Sequence, residues 1–301
     1  MTTTTKPSPH TKPSLGYVGI GLMGLPMVRH LLPKGYRITA YDIAGARCAA
    51  AREAGACIAA SPGAVAEGAD LIVLNLPTLD AVEKVVFGDD GLAAVMKPEQ
   101  VLVDFSTIPV EACRRLGARL MAERGCGWVD VPVSGGPPAA GSGALTVMAG
   151  GRDEDLAKIA TFMADVAGRY TIMGGRGAGL VAKMINQMIV GCTHAVLAEA
   201  LMVAEAAGID AKRIPECLAG GYADSPLLQK NYPRMAARDF APQGYARQLL
   251  KDLEMVNVFT AGLKTATPMT GDALNLYRMA VHLGHAELDT TAIVKVFDRE
   301  P

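Results

Sequence analysis

The sequence predicts an α/β chain in which a Rossmann-type doubly wound domain is followed by an all-α C-terminal domain, the two joined by a long helix. Three observations predict it. From Leu15 to about Met173, short apolar and β-branched runs alternate with alanine-rich helical stretches; a G-x-G-x-x-G triplet follows the first run; and after Gly177 the strand signal stops. Near-continuous apolar strands separated by helices are what a parallel sheet covered on both faces requires. With 301 residues, 50% of them hydrophobic and 20% charged, the chain can bury the cores of two domains.

The opening "MTTTTKPSPHTKPS" contains no apolar stretch of the kind a signal peptide needs, so residues 1–14 read as a disordered tail. The strands follow in the runs "LGYVGI", "YRITAYD", "DLIVLNLP", "QVLVDFS", "GWVDVPV", "ALTVMAGG" and "RYTIMGG", which place the first domain at residues 15–176. The long helix spans residues 178–207 and is closed by Gly208 in "AAGID", a natural C-cap. At 1.5 Å per residue it is roughly 45 Å long, more than one small domain requires. The C-terminal domain, residues 177–301, stays helical in pattern, with breaks at "GGYADSP", "NYPRM", "FAPQG" and "TATPMTG".

Composition also excludes function classes. A formal net charge of −1 and the lack of any Lys/Arg run argue against nucleic acid as a partner. No stretch reads as the roughly 20 apolar residues of a membrane span, so no membrane association and a soluble, cytoplasmic protein are expected. The six cysteines are dispersed without a C-x-x-C pair, and the H-x-x-H of His282 and His285 has no carboxylate or cysteine around it, so no metal is expected.

The glycine triplet carries the first site. Gly19, Gly21 and Gly24, with Ile20, Leu22 and Met23 between them, stand between a strand and a helix. Glycine is needed there for the tight turn, for close approach of backbone N–H groups to a pyrophosphate, and for packing helix on strand. Asp42, ending the second strand about 20 residues on, is placed to accept hydrogen bonds from an adenosine ribose. A carboxylate there repels a 2'-phosphate, and no arginine follows before Arg47, so NAD is favoured, with NADP kept open by Arg47.

A nicotinamide enzyme that oxidises an alcohol needs a group to take the hydroxyl proton. There is no zinc ligand set and no Tyr-x-x-x-Lys; His10 lies in the tail and His30 on the first helix, which leaves Lys183 as the favoured base and His194 as the alternative. In "GLVAKMINQMIV", projected at about 100° per residue, Lys183, Asn186 and Gln187 share one stripe, opposite Val181, Met184, Ile185 and Met188. Taken alone this is an amphipathic helix with a wet face. A lysine enclosed by protein loses hydration, however, and its pKa moves toward the range useful for proton transfer, while the two amides can hold a substrate oxygen or the ammonium.

Beyond these residues, "GYVGIGLMGLPM", "NLPT", "DFSTIP", "DVPVSGGPPAAGSGALTVMAGG", "GAGLVAKMINQ" and "LLKDL" occur in order, and together they resemble the β-hydroxyacid dehydrogenase family over Leu15 to about Val296. The resemblance implies that Leu76 and Pro77 line the cofactor cleft and that Thr107 contacts the cofactor near its nicotinamide end. It implies that Ser134, Gly135 and Gly136 cradle a substrate carboxylate, that Lys183 is the general acid/base, and that Lys251 closes over nicotinamide and substrate. A glycine-rich turn is an anion nest, which agrees.

The expected activity is NAD-dependent oxidation of a small 3-hydroxy acid of the 3-hydroxyisobutyrate type. The alternative is reduction of 2-hydroxy-3-oxopropionate, with NADPH as a candidate cofactor, because Gln187 stands where many members of the family carry a second asparagine and because "GGYADSPLLQ" resembles that branch. A non-catalytic dinucleotide-binding regulatory protein is the alternative of another class. The long apolar helix and the Met- and Ala-rich helices after it predict a homodimer or homotetramer.

Overall fold

The computed structural model describes residues 12–298. It consists of two compact units, the first ending at Leu180 and the second beginning at Val181.

The first unit holds a nine-stranded sheet: β1 (Leu15–Val18), β2 (Ile38–Tyr41), β3 (Cys57–Ile58), β4 (Leu71–Leu74), β5 (Val101–Asp104), β6 (Gly127–Asp130), β7 (Val133–Ser134), β8 (Leu145–Gly150) and β9 (Ala167–Gly174). The seven apolar runs fall on β1, β2, β4, β5, β6, β8 and β9, with "GWVDVPV" reaching the first residue of β7; β3 and β7, of two residues each, are too short to show a period. Strands β3-β2-β1-β4-β5-β6 lie in that order and are parallel. Every residue of β1, β4, β5 and β6 is buried, as a sheet covered on both faces demands. The order reverses between β1 and β4, so the carboxyl ends of these two strands open a crevice.

Beyond β6 the parallel pattern is broken: β8 runs antiparallel to β6 and β7 and carries β9 parallel to it. The segment 135–144 between β7 and β8 holds only the short helix Gly136–Ser142, less than a parallel crossover needs. Two of the helix starts are capped by the residue types that suit them, Ser61 accepting from the Ala64 N–H and Thr78 from the Ala81 N–H.

Most of the expected N-terminal tail, residues 1–11, lies outside the described residues. Its last residues are structured, which corrects the expectation: Ser14 is buried, donates its N–H to Asp70 Oδ2 at 2.7 Å and its hydroxyl to the Gly68 carbonyl at 2.8 Å, and Lys12 pairs with Asp165.

The long helix runs Ala178–Ala206 and ends at Gly208, whose φ is 72°. By length and composition this helix is long and apolar enough to cross a bilayer, a correction to the expectation that no such stretch exists. It carries Lys183 and the buried polar residues Gln187 and His194, and its Leu197, Ala198 and Leu201 pack in the core of the second unit with Tyr232, Leu253 and Tyr277. The helical projection places Ile185 on the face opposite the polar stripe, where burial is expected. Ile185 is instead 54% exposed while Gln187 is 9% exposed, because the glutamine amide finds polar partners inside.

After the long helix come helices Ile214–Leu218, Pro226–Ala236, Ala246–Gly262 and Pro268–His282, then a 3-10 turn, Thr290–Val296. The expected break at "NYPRM" is absent: Pro233 lies inside a helix. Burial of Leu228, Tyr232 and Met235 on the same helix outweighs the one hydrogen bond the proline removes.

Asp289 ties this unit together. Only 2% exposed, it accepts from the backbone N–H groups of Gln243 at 2.6 Å and Thr291 at 3.1 Å and from the Thr291 hydroxyl at 2.9 Å, and pairs with Arg234 at 3.0 Å. Burial pushes its carboxyl up, but these donors and Arg234 hold it below the ordinary carboxylate range. Asp289→Ala leaves the Gln243, Gly244 and Thr291 N–H groups without this acceptor and removes one of the two carboxylates paired with Arg234, and is expected to cost about 3 kcal/mol in a denaturant titration. The Asp289 contribution is fully present above the unfolded-state pKa and fades as the pH falls through the depressed native one.

Candidate active site

Of the residues expected to hold a dinucleotide, all but Lys251, which lies on helix Ala246–Gly262, follow the carboxyl ends of β1, β2, β4 and β5. After β1, Gly19 has a φ of 97°, and a side chain there would meet the Asn75 carbonyl at 2.3 Å; a side chain on Gly24 would meet the Gly19 carbonyl at 2.1 Å. Only glycine lets these three segments pack so closely. Helix Gly24–Leu31 begins without a side-chain cap at Met23; Leu25 and Met27 turn their N–H groups back to the Gly21 and Met23 carbonyls, at 3.2 and 3.4 Å, and the positive end of the helix dipole points at the glycine turn. Gly21 and Met23 are half-buried and Leu22 is exposed, whereas Ile20 is buried in the core.

Asp42 braces this loop. Its Oδ2 accepts from the Ile20 N–H at 2.8 Å and its Oδ1 from the Ala44 N–H at 2.9 Å. Arg47, late in the sequence, is brought back by the helix Gly45–Glu53: its guanidinium is 3.5 Å from Asp42 Oδ2 and lies against Gly21, 3.7 Å from where a side chain on that glycine would begin. The arginine that seemed too far along the chain to accompany Asp42 therefore stands beside it.

After β4 and β5, Leu76 donates its N–H to the Ser106 hydroxyl at 2.9 Å, and Ser106 donates its N–H to Asp104 Oδ1 at 2.9 Å. This chain links the Leu76–Pro77 segment to that of Thr107; Leu76 and Thr107 are half-buried and Pro77 is exposed. Burial raises the Asp104 carboxyl to about 7, against the lowering effect of Ser106. After β6, Ser134 ends β7, and Gly135 and Gly136 follow with φ of 122° and 67°, turning exposed backbone into helix Gly136–Ser142.

The second unit assembles Lys183, Asn186, Gln187, Lys251 and Asp252. Asn186 Nδ2 donates to Gln187 Oε1 at 2.8 Å, and Gln187 Nε2 donates to Asp252 Oδ2 at 2.6 Å. Lys251 Nζ is 3.2 Å from Asp252 Oδ1, an ion pair by distance without hydrogen-bond geometry. Burial lowers the Lys183 pKa to about 8; Asp252 opposes that shift and Lys251 adds to it. Both ends of the Gln187 side chain are thus engaged by protein groups.

His194, the alternative base, is occupied elsewhere. It is 2% exposed, with Nδ1 at 3.1 Å from the Tyr277 hydroxyl and Nε2 at 2.7 Å from Asn231 Nδ2. The Tyr277 hydroxyl donates to the Thr290 carbonyl at 2.9 Å, so its oxygen accepts from Nδ1–H and leaves Nε2 to accept from Asn231. Burial pushes His194 down to about 4, and the neutral ring has both nitrogens satisfied within the core. Among the described residues no three His, Cys, Asp or Glu side chains gather as metal ligands.

Arg47, Ser106 and Asp252 were not picked out as site residues from the sequence. Asp252 had a signal: it stands with Leu249, Leu253 and Val256 on the buried stripe of helix Ala246–Gly262, where a carboxylate is costly unless paired.

A sheet that reverses at β1/β4 with a glycine turn and an acidic brace at its open edge marks the class of dinucleotide-binding proteins. Residues 14–175 match the NAD binding domain of 6-phosphogluconate dehydrogenase, and residues 177–297 match the family described as NAD-binding of NADP-dependent 3-hydroxyisobutyrate dehydrogenase. The chain is 33% identical to an NAD-dependent L-serine dehydrogenase of Pseudomonas aeruginosa, over 94% of this chain and 97% of that one. It is 31% identical to a 2-hydroxy-3-oxopropionate reductase of Escherichia coli, over 94% and 97%. A crystal structure of a 3-hydroxyisobutyrate dehydrogenase from Salmonella typhimurium, 29% identical, superposes with a TM-score of 0.87, covering 95% of this chain and all of that one. The chain belongs to the β-hydroxyacid dehydrogenase family, and its cofactor is NAD or NADP.

The depressed Lys183 pKa is open to direct measurement. In competitive labelling of amines over a pH series, Lys183 is expected to become reactive with a midpoint near 8, while exposed lysines follow at about 10.4. A midpoint with the bulk lysines would show that the ammonium is not desolvated.

Proposed function

We propose that the protein is a cytoplasmic NAD-dependent dehydrogenase of a small 3-hydroxy acid, of the 3-hydroxyisobutyrate type. The observation that carries this reading is the Lys183 cluster: a lysine with a pKa of about 8 beside two amides and the Lys251–Asp252 pair, in a chain with a dinucleotide-binding glycine turn. A bound nicotinamide supplies the hydride acceptor. The turn Gly19–Gly24 and Asp42 would hold the dinucleotide, with Leu76, Pro77 and Thr107 along its cleft, and the family resemblance implies that Lys251 would close over its reactive end. The backbone of Ser134, Gly135 and Gly136 receives the substrate carboxylate. Lys183, neutral, takes the hydroxyl proton as the carbinol hydride leaves and the carbonyl forms; protonated, it returns the proton to a semialdehyde oxygen in the reverse direction. Asn186 holds a substrate oxygen or the ammonium, and Gln187 sets the orientation of Asn186.

The name of the Escherichia coli relative and the glutamine at position 187 favour a second reading, reduction of 2-hydroxy-3-oxopropionate. Asp42 supports NAD; Arg47 beside it gives a 2'-phosphate a counter-charge and keeps NADP within reach.

The assay follows nicotinamide absorbance with NAD and NADP against 3-hydroxyisobutyrate, 3-hydroxypropionate, glycerate, serine and 2-hydroxy-3-oxopropionate. Lys183→Ala is expected to lower turnover by at least about 100-fold while dinucleotide affinity stays within a few-fold. Because the folded lysine must be neutral to act as base, oxidation should rise with pH to a plateau above about 8, and reduction, which needs the ammonium, should fall over the same range. Equal loss of turnover and cofactor affinity in Lys183→Ala would make the lysine structural.

We propose further that the chain forms a homodimer or homotetramer through its second unit. On the long helix Ile185, Ile189, Val196 and Val203 are each more than half exposed and fall on one stripe, the last three at seven-residue spacing. Such a seam is suited to a partner helix and costly to leave in water. Ile189→Lys is expected to lower the mass in solution toward one chain without a loss of helix content; an unchanged mass would place the contact elsewhere.

A further inference from the structure

The long helix lacks a capping residue of its own. Its first turn is preceded by Gly174, Gly175, Arg176 and Gly177, none of which has a side chain that accepts a hydrogen bond. The acceptor comes instead from the sheet. Asp130, at the end of β6 and 1% exposed, takes the Gly177 N–H on Oδ1 at 2.7 Å and the Leu180 N–H on Oδ2 at 3.0 Å. The surroundings leave room for this carboxylate and little else. A side chain on Gly150 would stand 2.7 Å from Asp130 Oδ1, and one on Gly179 would stand 2.9 Å from Oδ2 and 2.4 Å from the Met148 carbonyl. Both of its oxygens are thus engaged by N–H groups of the helix start.

A helix cap on a surface helix is a matter of stability alone. This one is different in what lies downstream. The same helix carries Lys183 three residues beyond Leu180, about 4.5 Å further along the axis, with no break in the hydrogen-bonded spiral. Four residues after Asp130 in the chain comes Ser134, the first residue of the glycine turn.

We propose that Asp130 is a positioning residue for the reaction: its carboxylate fixes the origin and the rotation of the helix that carries Lys183. The inference rests on the reading of Lys183 as the general acid/base. Asp130 is 1% exposed with both oxygens engaged by the helix start, so it is assigned no contact with substrate or cofactor. It acts through the helix, where the displacement of about 1 Å that a lost cap permits is enough to cost on the order of 100-fold in rate. The negative charge of its ionised form also lies at the positive end of the helix dipole. Burial holds the carboxyl near 6, so at neutral pH it is mostly ionised.

The test compares Asp130→Ala, Asp130→Asn, Gly179→Ala and Lys183→Ala in the full-length protein, recording thermal midpoint, kcat, and KM for dinucleotide and hydroxy acid. Asp130→Ala is expected to lower kcat at least 100-fold with the dinucleotide KM within threefold. Asp130→Asn keeps one carbonyl acceptor and should recover at least tenfold of that loss. Gly179→Ala keeps the carboxylate but pushes the helix off it, and should lower kcat in the same way; it decides the matter if Asp130→Ala fails to fold. A folded Asp130→Ala or Gly179→Ala enzyme with a lowered thermal midpoint and a kcat within threefold of the parent would reduce Asp130 to a stabilising cap and overturn the proposal. Lys183→Ala separates the two levels. If it is inactive beside an Asp130→Ala enzyme at the parent rate, only the positioning role falls; if it turns over normally, the acid/base reading falls and the positioning role with it.

Discussion

One constraint underlies the arrangement of the first unit. Parallel strands joined by helices must all end at the same edge of the sheet, and the order reversal between β1 and β4 keeps two neighbouring strand ends from being roofed by one connection. The glycine turn, Asp42, the Leu76–Ser106–Asp104 chain and the Ser134 turn all follow strand ends at that edge. None of them is close to the others in sequence beyond its own loop. Remove the parallel register and they would be separate loops.

The edge is also where the unit buries charge. Asp104 and Asp130 stand in register on β5 and β6, both almost wholly buried and both with carboxyls raised by burial, to about 7 and about 6. Interiors tolerate such groups only when hydrogen bonds compensate for the lost water. Asp130 is compensated at both oxygens by the start of the long helix, whereas Asp104 is compensated at Oδ1 by the Ser106 N–H and keeps Oδ2 buried without a hydrogen-bond partner among the described residues, in line with its higher pKa. Each carboxylate is bound up with a segment that the proposed chemistry uses. The second unit follows the same economy. Asp289 holds its core, and Asp252 gathers Gln187 and Lys251 within reach of Lys183.

Gln187 illustrates how packing reassigns a side chain. As a residue type one turn from a lysine it suits contact with a substrate. In the folded unit its amide is engaged at both ends, by Asn186 and Asp252, which gives the glutamine the role of brace, beside a half-buried Asn186. The reverse happened to Ile185. An apolar residue on the face opposite the polar stripe lies outside, in line with Ile189, Val196 and Val203. Both reversals have one cause: a helical projection shows which residues share a face but not which face the rest of the protein covers.

The sequence by itself determined the α/β class, the all-helical second half, the strands long enough to show a pattern, the glycine turn and the family, because these rest on local periodicity, on backbone conformations open only to glycine, and on motifs that keep their order. It also singled out Lys183, by elimination, as the group to ask about. It could not reach β3, which is too short for a period, or the antiparallel turn of β8, which depends on how little chain is left for a crossover. Nor could it bring Arg47 to Asp42, Asp252 to Gln187 or Asp130 to Leu180, pairs that are 5, 65 and 50 residues apart. The retirement of His194 into the core likewise needed Tyr277 and Asn231 beside it. Those are decisions of the tertiary structure, because a buried charge or amide is stabilised by partners that only the folded chain brings within 3 Å or so.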